Sequence, residues 1–169
     1  MRRLTVFSMV LLFACATVPP PQGQMERGKE LRPAVAIYGP DSAIKERRYE
    51  RLLTQEAFTE VWVTHCGKAR SVGNPPLIDF AAFEVIAVFD GEGWNSAGIQ
   101  VLEMLDAAEV RRVRFDHYSY QTEGPNGGGV PVTPFGLFVL PKTELQVVLE
   151  QNVQNMIDEP PVWKERTRW

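Results

Sequence analysis

The apolar and polar positions along the chain alternate with two different periods, and these separate one helical segment from a series of short strands. Over Thr54–His65, Phe58, Val61, Trp62 and His65 recur at i, i+3, i+4 and i+7. That spacing puts one apolar stripe toward a core and predicts a helix. Thr54 is a sound N-cap, Glu56 lies in the first turn where the helix dipole favours an acid, and Gly67 is a natural stop. Ala34–Tyr38 reads as a short strand halted by Gly39-Pro40-Asp41. Lys45–Leu53 fits a solvent-facing edge strand or a polar helix, and its spacing does not choose between them. Residues 71–76 form a loop. Glu84–Phe89 is a continuous apolar run of the kind found in a central strand, and Gly98–Leu105 carries mixed alternation. Val110–Tyr118 sets Val113, Phe115 and His117 against Arg112, Arg114 and Asp116, the pattern of a half-exposed antiparallel strand. Phe135–Leu140 and Glu144–Leu149 complete the strands. The expected fold is mainly β (α+β): an antiparallel β-sandwich or rolled sheet with one packed helix.

The first residues follow a different logic. Arg2 and Arg3 precede an apolar run of about a dozen residues, too short for a hydrocarbon layer that needs about 20. This predicts a secretory signal over residues 1–14. Leu12-Phe13-Ala14-Cys15 resembles the bacterial lipobox. The resemblance implies that Cys15 becomes the first mature residue, carries a thioether-linked diacylglycerol and anchors the chain to a lipid bilayer. Each buried CH₂ contributes roughly 0.8 kcal/mol, so several acyl chains hold firmly. Ala16 after the Cys resembles proteins sorted to the outer membrane. The expected location is therefore the cell envelope, facing the periplasm or the cell surface. Residues 15–32 contain Pro19-Pro20-Pro21 and read as a tether, of which residues 16–30 when extended reach roughly 45–50 Å at about 3 Å per residue. Residues 33–150 hold the domain. Residues 151–169 read as a polar tail that either frays or tucks Trp163 into the domain.

Charge and cysteine content narrow the classes. The formal charge of −3 becomes −5 once Arg2 and Arg3 leave with the signal, which argues against nucleic acid as a partner. With Cys15 lipidated, Cys66 has no partner in the chain, so an intramolecular disulfide is excluded and Cys66 reads as a small buried apolar residue.

No catalytic, metal or cofactor site is expected. His65 and Cys66 are neighbours on a helix and point about 100° apart, so one cannot readily serve the other. His117 is the other candidate base, and four protein ligands to a metal would have to include carboxylates. Gly91–Ser96 partly mimics a dinucleotide fingerprint, but its third glycine is absent and a strand follows. Asp79 after Pro75-Pro76 reads as a local backbone acceptor, with Phe80 entering the core. The candidate partner-binding positions lie on two glycine-containing loops: Trp94, Asn95 and Ser96 on one, Gly127, Gly128 and Gly129 on the other. Tyr118 and Tyr120 lie near them as possible anchors, although strand packing explains these rings equally well.

Several segments together resemble a known family. They are Phe58…Trp62…His65, Pro75-Pro76-Leu77-Ile78-Asp79-Phe80, Val85–Gly91, Asn95–Ile99 and Thr133-Pro134-Phe135. In this order they look like the C-terminal domain of the PrcB protease-complex subunit, over roughly residues 54–150. Where that family shows a Thr-Gly-Gly-Tyr-like turn, this chain has Ser96-Ala97-Gly98-Ile99. The resemblance implies a β-rich, non-enzymatic domain whose partner is an envelope protein or a protease. A looser likeness to chagasin-type inhibitors rests on the two glycine loops, and implies a protease-inhibitor module instead.

Overall fold

The computed structural model describes residues 28–67, 73–122, 128–154, 156 and 159–169. The signal segment, Cys15, most of the tether and Gly127 lie outside the described residues. Within them the chain forms β1 (Lys29–Glu30), β2 (Val35–Gly39), β3 (Arg47–Leu52), α1 (Gln55–Cys66), β4 (Phe83–Asp90), β5 (Gly93–Trp94) and β6 (Ser96–Ala107). β7 (Val110–Ser119), β8 (Pro131–Val132), β9 (Phe135–Pro141), β10 (Gln146–Asn152) and β11 (Trp163–Arg168) follow. The protein is mainly β with one helix, in a sandwich-like arrangement.

Three layers result. The middle layer is the sheet β2-β9-β4-β3, antiparallel throughout. Helix α1 covers one face and the sheet β1-β6-β7-β10-β11 covers the other. Side chains alternate across a strand, so the odd and even positions of β4 serve different cores. Val85, Ala87 and Phe89 meet Phe58 and Val61 of α1. Ile86 and Val88 meet Val113 and Phe115 of β7 and Val147 and Leu149 of β10. Covering on both faces explains why β4 reads as an unbroken apolar run.

Helix α1 begins where the capping signal placed it. The Thr54 side chain accepts from the Ala57 N–H, and the helix ends at Gly67 with φ 64°. The ambiguous segment after Lys45 is a strand at the edge of the middle sheet. The larger sheet is mixed: β10 returns parallel to β7, while β6 and β11 pair antiparallel with their neighbours. Two short strands extend it beyond the segments that alternation marks. β1, within the expected tether, pairs with Asp106 and Leu105 of β6. β11, within the expected tail, pairs with β10; Trp169 and Val147 exchange backbone bonds of 2.9 and 3.1 Å, and the Trp169 ring packs on the inter-sheet core. Trp163 lies under the Arg114 guanidinium at 5.2 Å, a cation–π contact.

The two sheets come close together where β6 passes β2. Gly98 has φ 135°, and a Cβ there would lie 2.7 Å from the Gly39 nitrogen. Only glycine fits that backbone conformation and that spacing.

Candidate functional site

The inward row of β4 reads Glu84, Ile86, Val88, Asp90, so a carboxylate stands at each end of the inter-sheet core. Neither can be buried unless it is paired. β3 and β7 supply the partners by the same period-2 logic, through Arg47, Tyr49 and Arg51 on one and Arg111 and His117 on the other.

The Glu84 end is closed. Glu84 is fully buried, and Arg51 donates to its Oε2 from Nε and Nη2 at 3.0 and 2.7 Å. Arg111 Nη1 lies 3.5 Å from Oε1 and also donates to the Pro141 carbonyl. Its remaining nitrogens fork onto Asp106 at 2.7 and 2.9 Å. Every charge here faces another protein group, and the cluster acts as a plug that sets how the two sheets register.

The Asp90 end is open on one side. The Asp90 side chain is only 4% exposed and accepts four side-chain hydrogen bonds. Arg47 Nε and Tyr49 OH donate to Oδ1 at 2.6 and 2.8 Å. His117 Nε2 and Gln151 Nε2 donate to Oδ2 at 2.7 and 3.0 Å. Burial by itself would raise the Asp90 pKa. Hydrogen bonds from His117 and Tyr49, with the charges of His117 and Arg47, outweigh it and hold the pKa at about 2. Burial and the Asp90 charge push the Tyr49 phenol well above its ordinary range. An ionised carboxylate only accepts, so the His117 ring carries its proton on Nε2. Gln151 in turn accepts from Arg166 Nε at 2.6 Å, which brings β11 into the network.

The alternation of β7 identifies His117 as inward-facing. Asp90, Arg47, Tyr49 and Gln151 do not stand out in the sequence as a group. The available signal was the i, i+2, i+4 spacing of Arg47, Tyr49 and Arg51, set against carboxylates bracketing the β4 run.

The loop positions expected to meet a partner occupy a different region. β5 and β8 pair through Gly93–Val132 and Trp94–Pro131, which puts the two loops side by side. Asn95, at φ 52°, joins them: its N–H donates to the Val130 carbonyl at 2.9 Å and its Oδ1 accepts from the Val130 N–H at 2.7 Å. Trp94 is 66% exposed, and a Cβ on Gly129 would lie 2.7 Å from the indole. The Gly129 backbone therefore lies close against the six-membered ring of the indole. Tyr120 is exposed and donates its N–H to the Asn95 carbonyl. Gly128 accepts from Thr122 Oγ1 at 2.7 Å. Ser96, in contrast, is fully buried and its hydroxyl is engaged with the Gly98 backbone, so it shapes the loop from beneath.

The remaining candidates have structural settings. His65 is buried among Trp62, Phe89 and Phe135, with Nδ1 2.9 Å from Ser42 Oγ. Cys66 is free and half-buried, where full burial was expected, because it ends α1 beside the capping Gly67. Asp79 accepts from the Ala81 N–H, and Phe80 packs on the helix-side core. A strand follows Gly91–Ser96. Among the described residues no three His, Cys, Asp or Glu side chains gather closely enough to hold a metal ion, and no helix is long and apolar enough to cross a membrane. Comparison with known families, curated proteins and solved structures finds no match to this chain.

Proposed function

We propose that this chain is a lipid-anchored envelope protein whose PrcB-like domain binds another envelope protein, a protease among the candidates, through the Trp94 end of the sandwich. The observation that carries this reading is the exposed indole held on Gly129. Large aromatic surface left in water is costly, and Trp is prominent among residues that dominate binding energy at protein interfaces. Two hydrogen bonds between Asn95 and Val130, one between backbones and one through the Asn95 side chain, fix the backbone on either side of Trp94 and Gly129 in advance, which lowers the entropy lost on association. Tyr120 and Val130, both exposed, are tied through their backbones to the neighbouring Asn95.

A site-specific photocrosslinker tests it. Placed at Trp94 or Tyr120 in native membranes, it should yield one discrete adduct that is absent when the same group replaces Val63 on the exposed face of α1. Equal adducts at both places, or none at Trp94, would overturn the reading. The anchor has its own test: mass spectrometry of the processed protein should find an acylated N-terminal Cys15, and a free thiol there rejects it.

A second reading draws support from the adjacency of the two glycine loops, namely an inhibitor-like module that inserts Trp94 and its neighbours into a protease cleft. It requires saturable inhibition of a papain-type protease, lost in Trp94→Ala.

A further inference from the structure

The two sheets part on the side where the expected tether enters the domain. β1 runs along the edge of β6 only as far as Met104, whose carbonyl accepts from the Leu31 N–H at 2.9 Å. The chain then crosses through Arg32 and Pro33 into β2, a strand of the middle sheet. β2 meets β6 again at Gly39 and Gly98. Between these two closures lies a slot of about 430 Å³. Leu31, Pro33, Ala36 and Leu102 line it, with Met104 and Phe138 of the inter-sheet core at its base. A bulge in β6 between Val101 and Glu103 makes Leu102 the extra residue and turns it out of the ladder. Tyr38 and Leu102, one from each sheet, are each 49% exposed in the slot wall. Apolar surface left facing water in this way favours an apolar occupant.

Volume and charge narrow that occupant. An apolar cavity of about 150 Å³ takes one benzene ring, so the slot has room for on the order of a dozen carbons. Its charges balance: Arg32 and Glu30 carry opposite signs, and Glu103 is taken up by Arg114 at 2.5 Å. A net ionic ligand therefore gains little here. Arg32 and the Gln100 amide have no side-chain hydrogen bond among the described residues, and both can donate. The match is a neutral amphiphile, with a hydrocarbon chain inside and ester or amide carbonyls at the mouth. The chain itself would carry one. Cys15, which the lipobox resemblance marks for diacylglycerol, stands 15 residues before Glu30 of the slot. About 45 Å of extended chain is long enough for the acyl end to turn back to the slot. Covalent attachment holds it there at an effective concentration on the order of millimolar.

We propose that the slot between β2 and β6 receives one acyl chain of the anchor on Cys15, which draws the domain down to the bilayer surface instead of leaving it at the tether's full reach. The proposal rests on the anchor reading and is separate from the Trp94 surface, with which the slot shares no residue. The test uses the full lipidated chain, sparse in phosphatidylcholine vesicles, with a photoreactive diazirine side chain in place of Leu102. Irradiation should join that position to the acylated N-terminal peptide of the same molecule, as mass spectrometry of the digested monomer reads. Ala36→Phe, which fills the slot from β2, should lower the yield of this adduct at least tenfold while the urea midpoint stays near that of wild type. The same diazirine at Tyr118, exposed on the large sheet, should not give it. An adduct with phosphatidylcholine alone, with a second copy of the chain, or with nothing would overturn the proposal, as would an equal yield in Ala36→Phe or at Tyr118. A free thiol at Cys15 ends the anchor reading and this proposal together, whereas an acylated Cys15 without the adduct ends this proposal alone.

Discussion

Replacing Asp90 by Asn tests whether the carboxylate at the open end of the core is held ionised by its four donors. Asn preserves the size of the side chain, but it removes the charge and turns an N–H toward donors that also carry hydrogens. The carboxylate pKa drops from an ordinary 3.8 to about 2 on folding. At 1.36 kcal/mol per unit, the ionised form contributes about 2 kcal/mol. Because the folded value is the lower one, that contribution is complete above the unfolded pKa and is lost as the pH falls through 3.8 toward 2. The variant has no such group to titrate. The stability gap between wild type and Asp90→Asn should therefore be widest at pH 5 and shrink by about 2 kcal/mol at pH 2. The other carboxylates titrate in both proteins and cancel in the difference. Urea unfolding followed by tryptophan fluorescence reads this as a midpoint gap that narrows by on the order of 1 M. A gap that stays constant between pH 5 and pH 2 would refute the argument. It would mean that the four donors do not favour the ionised form.

Other positions give sharper structural contrasts. Gly98→Ala should cost about 2–4 kcal/mol, since its backbone is strained for any Cβ and the added atom meets the Gly39 nitrogen. Gly93→Ala, with open space around it, should stay within about 0.5 kcal/mol in the same urea assay. Trp169→Ala should destabilise the domain by about 2 kcal/mol, below the figure for a fully buried Trp because the ring is only half-buried. Hydrogen exchange should show the Val147 amide, bonded to the Trp169 carbonyl, opening at least tenfold faster in that variant. Thr54→Ala should cost about 1 kcal/mol through loss of the N-cap, whereas Thr54→Ser should keep most of it, as thermal unfolding would show.

Local patterning was sufficient wherever one face of a segment is apolar. Helix α1 announces itself because its buried stripe repeats every three to four residues, and its cap and stop are neighbours in the chain. β4 and β9 are legible because both of their faces are covered and nearly every position is apolar. β3 stayed ambiguous for a physical reason: its inward-facing row includes Arg47 and Arg51, and a cation on that face makes sense only beside Asp90 and Glu84. β11 escaped notice because a polar segment such as Lys164–Arg168 becomes a strand by borrowing the free edge of β10. The same distinction applies to function. The sequence alone marked Trp94, Asn95 and the glycines as loop residues, and the folded chain brought Trp94 against Gly129 through the β5–β8 pairing. The partners of Asp90 lie 27, 41, 43 and 61 residues away. No local period encodes separations of that kind. A carboxylate that would be costly to bury alone becomes stable only when the chain's long-range path delivers its donors, so tertiary structure alone decided where this polar cluster would lie.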